Sequence, residues 1–240
     1  MDLAYLRDCI ASAERGVFFG GAGVSTASGI PDFRSAAGLY SEELDGPRPE
    51  ELLHVKTLTA FPERFYAYYR THMLYPDARP NDAHLALAEL EARGNLSAVI
   101  TQNIDGLHTA AGSRRVVELH GSAHRYHCMR CHRPYPESTV YDAIGAPHCP
   151  ACGGLIRPDV VLYGEGLGRP LEEAIEIVSE ADLLIVGGTS LTVYPAASLL
   201  DYFSGEHLFI VNLSQTPYDG IAEEVINAPV DEVLSSVTWG

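Results

Sequence analysis

The chain has 240 residues, a length that suits one large domain or a domain with a modest insertion. Hydrophobic residues make up 46% and charged residues 20% of it, which provides enough apolar surface for a packed core and excludes a disordered protein. Sixteen basic and 32 acidic residues give a formal net charge of -16, so direct binding to a nucleic-acid backbone is not expected.

From this sequence we expect neither export nor membrane insertion. No early apolar run is flanked by a basic segment and a cleavage site, and no stretch reaches the ~20 apolar residues that a membrane span needs. Four of the five cysteines form two close pairs, which in a reducing compartment favours metal binding over disulfides. We therefore expect a cytoplasmic protein, and the sequence leaves its oligomeric state open.

Short apolar runs at residues 17–19, 98–101, 183–186 and 208–211 predict buried parallel strands. Helical patterns separate them, for example at residues 84–93 and 171–181. This alternation predicts an α/β fold with a doubly wound parallel sheet. Ligands bind such sheets beyond the carboxyl ends of the strands, where Gly21, Gln102, Gly188 and Asn212 are expected.

Two stretches interrupt this alternation. Residues 35–80 are aromatic and dotted with proline, and a helical pattern at residues 62–74 predicts a helical insertion. Residues 124–155 are rich in Cys, His, Pro and Gly and show almost no apolar periodicity. Because such a segment cannot build its own core, it requires another source of stability.

The cysteines provide that source. Cys128, Cys131, Cys149 and Cys152 form two C-x2-C pairs separated by seventeen residues, a spacing typical of a tetrahedral zinc site, with iron as the alternative. Four thiolates complete the coordination shell, so we predict a structural metal with no open position. The neighbouring His127, His132 and His148 are interpreted as surface residues.

Residues 20–33 follow the first predicted strand and are dense in small side chains, so that backbone amides could approach a pyrophosphate. The segment lacks the third glycine of the G-x-G-x-x-G pattern, which leaves a nucleotide site and an ordinary loop both open. Arg34 comes next, and it could neutralise a phosphate or be an ordinary surface residue.

Residues 101–108 concentrate Gln102, Asn103 and Asp105 directly after a predicted strand. Polar groups at the ligand edge of a sheet suggest specific hydrogen bonding to a small molecule. His120 follows the apolar run at residues 116–119 at the same edge. Its position is compatible with a general base and also with a structural histidine.

In their order, these segments resemble the sirtuins, the family of NAD-dependent protein lysine deacylases, and in particular bacterial members. The matching segments span residues 21–217 and read GAGVSTASGIPDFR, PNDAH, TQNIDGLH, ELHGS, the four cysteines, IRPDVVLYGE, GTSLTVYPAA and VNLSQTP. The resemblance implies a Rossmann-like doubly wound sheet formed by residues 1–34, 81–123 and 156–240. It also implies a helical insertion at residues 35–80 and a small zinc-ribbon module at residues 124–155.

The resemblance further implies functional roles. His120, Asn103 and Asp105 would be catalytic, with His120 as the base and the other two, with Ile30, forming the nicotinamide pocket. The implied NAD-binding residues are Gly21, Ala22, Gly23, Ser25, Ile30, Asp32, Phe33, Arg34, Gln102, Asn103, Asp105, Gly188, Thr189, Ser190, Asn212 and Ser214. The implied substrate-binding residues are Val160, Val161, Leu162, Tyr163, Gly164, Glu165, Leu191, Thr192, Val193, Tyr194, Tyr66 and Tyr69.

The implied activity is NAD-dependent deacetylation of acyl-lysine proteins or peptides, in which the acyl group passes to ADP-ribose and nicotinamide is released. NAD and one structural zinc ion are the implied cofactors. Three alternatives remain open: mono-ADP-ribosylation of a protein, a deacylase preferring succinyl, malonyl or longer groups, and a catalytically weak NAD-binding or zinc-dependent interaction module.

Two departures from the family pattern bear on these expectations. Gly20 stands where the family usually has Thr or Ser, so one hydroxyl near the nucleotide loop is missing. Members that prefer acidic acyl groups carry a Tyr-x-x-Arg pair. In this chain Tyr66 and Tyr69 occupy those two positions, and Arg70 is one residue farther along the predicted helix. We therefore predict a preference for neutral acyl groups.

Overall fold

The computed structural model describes residues 3–32 and 47–240, so Phe33 and Arg34 lie outside the described residues. The strands are β1 (Gly16–Gly20), β2 (Leu96–Thr101), β3 (Val116–Glu118), β4 (Gly121–Cys128), β5 (Pro134–Tyr135), β6 (Ile156–Val160), β7 (Leu183–Gly187), β8 (His207–Val211) and β9 (Glu224–Ile226). The α-helices are α1 (Ala4–Ser12), α2 (Pro49–Leu52), α3 (Val55–Ala60), α4 (Pro62–His72), α5 (Asp82–Arg93), α6 (Leu107–Ala111), α7 (Ser138–Tyr141), α8 (Arg169–Glu180) and α9 (Val230–Trp239).

The larger sheet has six parallel strands in the order β3-β2-β1-β7-β8-β9. β1 is buried over its whole length, as its uninterrupted apolar run requires for a strand covered on both faces. The chain extends the sheet from β1 first to one side and then, after β6, to the other. The predicted doubly wound α/β fold is confirmed, and the change of direction falls between β1 and β7.

Helices cover both faces of this sheet. On one face, α1, α5 and α9 pack against alternate strand residues such as Phe18 and Ile185. On the other face, α8 and the 3₁₀ helix Ala196–Tyr202 pack against Val17, Phe19 and Leu184. Successive residues of β1 therefore contribute to different cores, as the two-residue repeat of a strand requires.

Both α5 and α8 start two residues before their predicted starts. α5 starts at Asp82, two residues before the predicted start, because the Asn81 side chain accepts a hydrogen bond from Ala83 N and His84 completes a capping box. It ends as predicted before Gly94, which has a left-handed backbone. α8 begins at Arg169, with Pro170 in its first turn.

A second, smaller body contains β4, β5 and β6, which form an antiparallel sheet in the order β5-β4-β6, together with α2 to α4 and α7. We call residues 47–80 and 121–162 the small lobe. One apolar core serves the whole lobe, since Phe65, Tyr66 and Tyr69 of α4 pack with Tyr126 of β4 and Ile156 of β6. β4 crosses residue 124 without interruption, and the predicted domain boundaries remain predictions.

Within residues 3–32 and 47–240, no helix has both the length and the apolar character of a membrane span.

Candidate active site

The carboxyl ends of four neighbouring strands form the edge where the candidate site lies. Gly21, Gln102, Gly188 and Asn212 directly follow β1, β2, β7 and β8. Their amides continue the strand pairing, since Gly21 N donates to Gly187 O (3.1 Å), Gln102 N to Gly20 O (3.0 Å) and Gly188 N to Val211 O (3.1 Å). The expectation that these residues share one edge is therefore confirmed.

The loop after β1 lies against the loop after β7 without room for side chains. Gly23 N donates to Gly188 O (2.8 Å), and a Cβ at Gly23 would lie 2.8 Å from Gly188 Cα. Gly188 has φ +61, and a Cβ there would lie 2.5 Å from Val24 N. Both positions therefore require glycine, and the two loops pack backbone against backbone.

Gly20 has a steric explanation. A Cβ at this position would lie 2.6 Å from Cε1 of the fully buried Phe18 and 3.2 Å from Val24 Cγ2. The Phe18 ring thus occupies the space in which a Thr or Ser side chain would begin, so a hydroxyl cannot be introduced here without moving that ring.

Hydrogen bonds join the nucleotide loop to the loop after β2. Ser25 Oγ donates to Asp105 Oδ2 (2.7 Å), and Asn103 Nδ2 donates to Ser25 Oγ (3.0 Å). The other carboxylate oxygen of Asp105 accepts from Leu107 N at the start of α6 (2.9 Å). The structure therefore brings Ser25, Asn103 and Asp105 together, and it fixes both oxygens of the carboxylate.

His120 is attached to the same edge through Gln102. The Gln102 side chain donates to Thr189 Oγ1 (2.9 Å), and its backbone carbonyl lies 2.9 Å from His120 Nδ1. Because a carbonyl oxygen can only accept, Nδ1 must carry the proton, which leaves Nε2 with a free lone pair. Burial lowers the pKa of His120, opposed by the bond to Gln102, so the neutral ring is favoured.

The remaining predicted NAD-site residues that the structure describes lie in the segments after β1, β7 and β8. Ala22 begins a 3₁₀ helix, and Ile30 and Asp32, both partly buried, follow a second 3₁₀ helix at Thr26–Ser28. Ser190 Oγ lies 2.8 Å from Thr192 Oγ1, and Asn212 Nδ2 donates to the carbonyl of Ser214 (2.8 Å). NAD binding by these residues remains a prediction.

The first predicted substrate segment, residues 160–165, lies against His120. The His120 carbonyl accepts from Val161 N (2.9 Å), and Tyr163 N and O pair with Leu53 O (3.1 Å) and Val55 N (3.0 Å). In the described part of the chain, the amide of Gly164 has no hydrogen-bond partner and is available to another strand.

Other groups of these segments are already engaged. Glu165 forms two bonds with Arg157 (2.6 and 2.8 Å) and accepts from Leu162 N (2.9 Å), so its carboxylate shapes the turn. In the second segment, residues 191–194, Leu191 is buried and Tyr194 is exposed.

The tyrosines of α4 are core residues in this structure. Tyr66 and Tyr69 are fully buried, and the Tyr66 hydroxyl donates to the Ile156 carbonyl. The Arg70 guanidinium donates to the carbonyls of Val140 (2.7 Å) and Gly145 and lies 5.2 Å from the centre of the Tyr66 ring. Core packing explains these residues, and contact of Tyr66 or Tyr69 with substrate stays a prediction.

The four cysteines form one cluster, with all Sγ atoms within 4.8 Å of one another. The Cys128 to Cys152 and Cys131 to Cys149 sulfur distances are 3.5 and 3.7 Å, far longer than a disulfide and close to the ~3.8 Å edge of a tetrahedron with ~2.3 Å zinc–sulfur bonds. The Tyr135 hydroxyl donates to Cys149 Sγ (2.9 Å) and lowers the pKa of that thiol to about 6. The residues therefore fit a structural zinc ion.

Two residues near the site were not assigned a role from the sequence. Asn81 Nδ2 donates to Val24 O (2.8 Å) and Ser28 Oγ (2.9 Å) while its Oδ1 caps α5, so Asn81 ties that helix to the nucleotide loop. An asparagine before a helical pattern is a capping signal that could have indicated it. His124 contacts the loop after β2 from the small lobe, and no local pattern indicated this contact.

Comparison with known proteins identifies the family. The Sir2 family model matches residues 21–195. A curated NAD-dependent protein deacetylase of Cutibacterium acnes is 55% identical over 223 residues, covering 92% of this chain and 91% of that protein. One of Clostridium perfringens is 50% identical over 235 residues, covering 97% and 96%.

Solved structures show the same similarity. Sir2 with a p53 peptide and NAD+ superimposes with a TM-score of 0.89 at 41% identity, covering 99% of this chain and 97% of that one. Sir2Tm bound to a propionylated peptide gives a TM-score of 0.88 at 40% identity, with the same coverage. The matched segments include the loops after β1 and β7, His120 and all four cysteines, and the chain therefore belongs to the Sir2 family.

Proposed function

We propose that this chain is an NAD-dependent protein lysine deacetylase that transfers the acyl group of acyl-lysine to ADP-ribose and releases nicotinamide. The observation that carries the proposal is the bond of His120 Nδ1 to the Gln102 carbonyl, which leaves Nε2 as the basic nitrogen. The loop that supplies this carbonyl also contributes Asn103 and Asp105 to the network with Ser25. The relatives that are named NAD-dependent protein deacetylases support the same activity.

The residues at the sheet edge fit NAD by their chemistry. The small residues of the loop after β1 allow its backbone amides to approach a pyrophosphate. The side chains of Ser25, Gln102 and Asn212 can hydrogen-bond to sugar hydroxyls and amides. Bound NAD supplies an electrophilic ribose carbon when its bond to nicotinamide breaks. Asn103 and Asp105 orient the nicotinamide end, because Ser25 holds their side chains together.

His120 moves the proton. Its Nε2 accepts a proton from the reacting sugar hydroxyl while Nδ1–H remains bonded to the Gln102 carbonyl, so the ring does not rotate as it becomes charged. The bond to the Gln102 carbonyl favours the imidazolium that forms, because the carbonyl dipole faces Nδ1–H of the charged ring.

The acyl-lysine segment binds as an added strand between residues 160–165 and residues 191–194. The free amide of Gly164 offers one backbone hydrogen bond, and the Val161 amide already links this segment to His120. Backbone pairing places few demands on the substrate sequence, so we propose acylated proteins of varied sequence as partners. Cys128, Cys131, Cys149 and Cys152 would hold a zinc ion with four thiolates, which would leave it no open position and give it a structural role in the small lobe.

Two finer proposals concern the environment of the protein. Four thiols arranged for a metal favour a reducing compartment, so we propose a cytoplasmic location. The formal charge of -16 supports the absence of direct nucleic-acid binding.

An assay of nicotinamide release with and without an acetyl-lysine peptide tests the activity. Peptide-dependent release that matches the amount of deacetylated peptide is expected. Transfer of labelled ADP-ribose from NAD to protein would instead indicate a mono-ADP-ribosyltransferase. Absence of both reactions would leave only a binding or interaction module and would refute the proposal.

A further inference from the structure

His124 of β4 lies between two groups that can only accept hydrogen bonds. Its Nδ1 is 2.6 Å from a carboxylate oxygen of Glu137, at the start of α7, and its Nε2 is 2.8 Å from the backbone carbonyl oxygen of Asp105. A neutral histidine has one N–H and can satisfy only one of these acceptors. Both short contacts require the imidazolium form, in which each ring nitrogen donates.

The carbonyl that His124 contacts belongs to the loop after β2. The neighbouring Ala123 amide donates to the Ile104 carbonyl (2.9 Å), so two consecutive residues of β4 hold two consecutive carbonyls of that loop. Gly106 has φ +70, and a Cβ there would lie 2.9 Å from His124 Cδ2. The ring therefore also packs directly against the turn that follows Asp105.

We propose that His124, as an imidazolium held by Glu137, is a positioning residue that fixes the Asp105 loop for binding NAD. The inference rests on the proposed function for the role of Asp105. The proposal adds a connection from the small lobe to the nicotinamide end of the site, through the charged ring of His124. Glu137 acts through His124, because its carboxylate accepts from Nδ1–H and so stabilises the charged ring.

The charge on His124 determines its pH dependence. Partial burial opposes the charge, but the bonds to the Asp105 carbonyl and the Glu137 carboxylate, with the Coulombic attraction of both acidic side chains, raise the pKa above its ordinary value. Arg125 follows on β4 and is paired with Glu118 and Asp159. The imidazolium is present below the raised pKa and is lost as pH rises through it. The neutral ring then has one N–H, which can donate either to the Glu137 carboxylate or to the Asp105 carbonyl, but not to both.

A ring titration by NMR tests the charged state without relying on turnover. The signal is assigned by its absence from the His124→Gln spectrum. In the wild type we expect the pKa of His124 to lie above the ordinary histidine value of ~6.5. In Glu137→Gln we expect this pKa to be lower than in the wild type. Titration of the wild-type ring at or below the ordinary value, or no change in Glu137→Gln, overturns the proposal.

The KM for NAD tests the positioning role. In the wild type it should rise about 3- to 10-fold as pH rises through the His124 titration, the effect of losing one hydrogen bond of ordinary net strength, while kcat at saturating NAD changes less. In Glu137→Gln the rise should move to lower pH by the shift seen in the ring titration. In His124→Gln the step should be absent and KM raised throughout.

His207 and Glu223 provide the matched control. They form a similar surface pair (2.8 Å) at the start of β8, the opposite end of the strand from the ligand edge. His207→Gln and Glu223→Gln should leave the pH dependence of KM unchanged. A KM step that persists in His124→Gln refutes the proposal even when deacetylation is intact. If the proposed function itself is wrong, the wild-type protein will show no peptide-dependent NAD consumption at any pH.

Discussion

At the scale of single residues, the chemistry of the site depends on backbone carbonyls. The Gln102 carbonyl fixes the tautomer of His120, and the Asp105 carbonyl lies opposite the charged His124. Both acceptors belong to the loop after β2, so one stretch of main chain orients two histidines with different charges. Side-chain substitution of Gln102 removes its bond to Thr189 but leaves the carbonyl in place.

Replacement of His120 tests its role as base. His120→Ala should reduce kcat/KM for deacetylation by about 10²-fold or more, because it removes proton transfer at Nε2. The fold should persist, which a thermal melt checks. Turnover at the wild-type rate in the folded variant would contradict the assignment.

The wild-type pH profile gives a second measure of His120. Burial lowers the pKa of His120, so the neutral, active ring persists below the ordinary value of ~6.5. The acidic limb of kcat/KM should therefore lie below that pH. A limb above it would indicate that a different group acts as base.

At the scale of elements, the predicted preference for neutral acyl groups depends on α4. One turn of this helix carries Tyr66, Tyr69 and Arg70, and their polar atoms face carbonyls of other segments or the core. A carboxylate placed among them would lose its hydration without a free cation to compensate.

We therefore expect acetyl-lysine to be removed about 10²-fold or more faster than succinyl-lysine on the same peptide, since several kcal/mol of uncompensated desolvation correspond to this factor. Measurement of kcat/KM for both forms checks the ratio. The acetyl-to-succinyl ratio should not rise in Arg70→Met. The matched control is Arg64→Met, because Arg64 lies on the exposed side of α4. Comparable succinyl removal that collapses in Arg70→Met would refute the prediction.

The zinc cluster should support β4 to β6 as a unit. Chelation or Cys128→Ser should lower the melting temperature and the activity together, because the segment has few apolar residues of its own. Calorimetry with metal analysis measures this effect. In Cys9→Ala, which keeps all four ligands, chelation should still lower the melting temperature, whereas Cys128→Ser should no longer respond. Full stability after complete metal loss would contradict a structural role.

At the scale of the whole molecule, the net charge of -16 should steer basic substrates. The kcat/KM for a peptide rich in arginine should fall several-fold between about 0.05 and 0.5 M salt, because screening shortens the range of the attraction. A peptide with neutral flanks should respond much less. Equal salt dependence for both peptides would argue against steering.

The parallel sheet and its ligand edge could be predicted because each strand is a local apolar run that ends in small or polar residues. Because Asn81 caps α5, the helix starts two residues before its predicted start, and the asparagine before the helical pattern is a capping signal in the sequence. The zinc site was predictable because its ligands lie in two short, regularly spaced pairs.

Contacts between distant segments could not be predicted in this way. Glu137 and Asp105 are 13 and 19 residues from His124, and only the packing of β4 against the loop after β2 brings them together. The burial of Tyr66 depends on β6, which lies 90 residues away in the chain. Such contacts are set by tertiary packing and leave no periodic signal.

The shared core of the small lobe has a consequence for synthesis of the chain. Phe65, Tyr66 and Tyr69 leave the ribosome about 90 residues before Ile156, which covers them in the folded protein. At ~5–20 residues per second, these aromatic side chains remain without that cover for about 5–20 s. A binding partner during translation would protect this nascent segment most in the interval before β6 emerges.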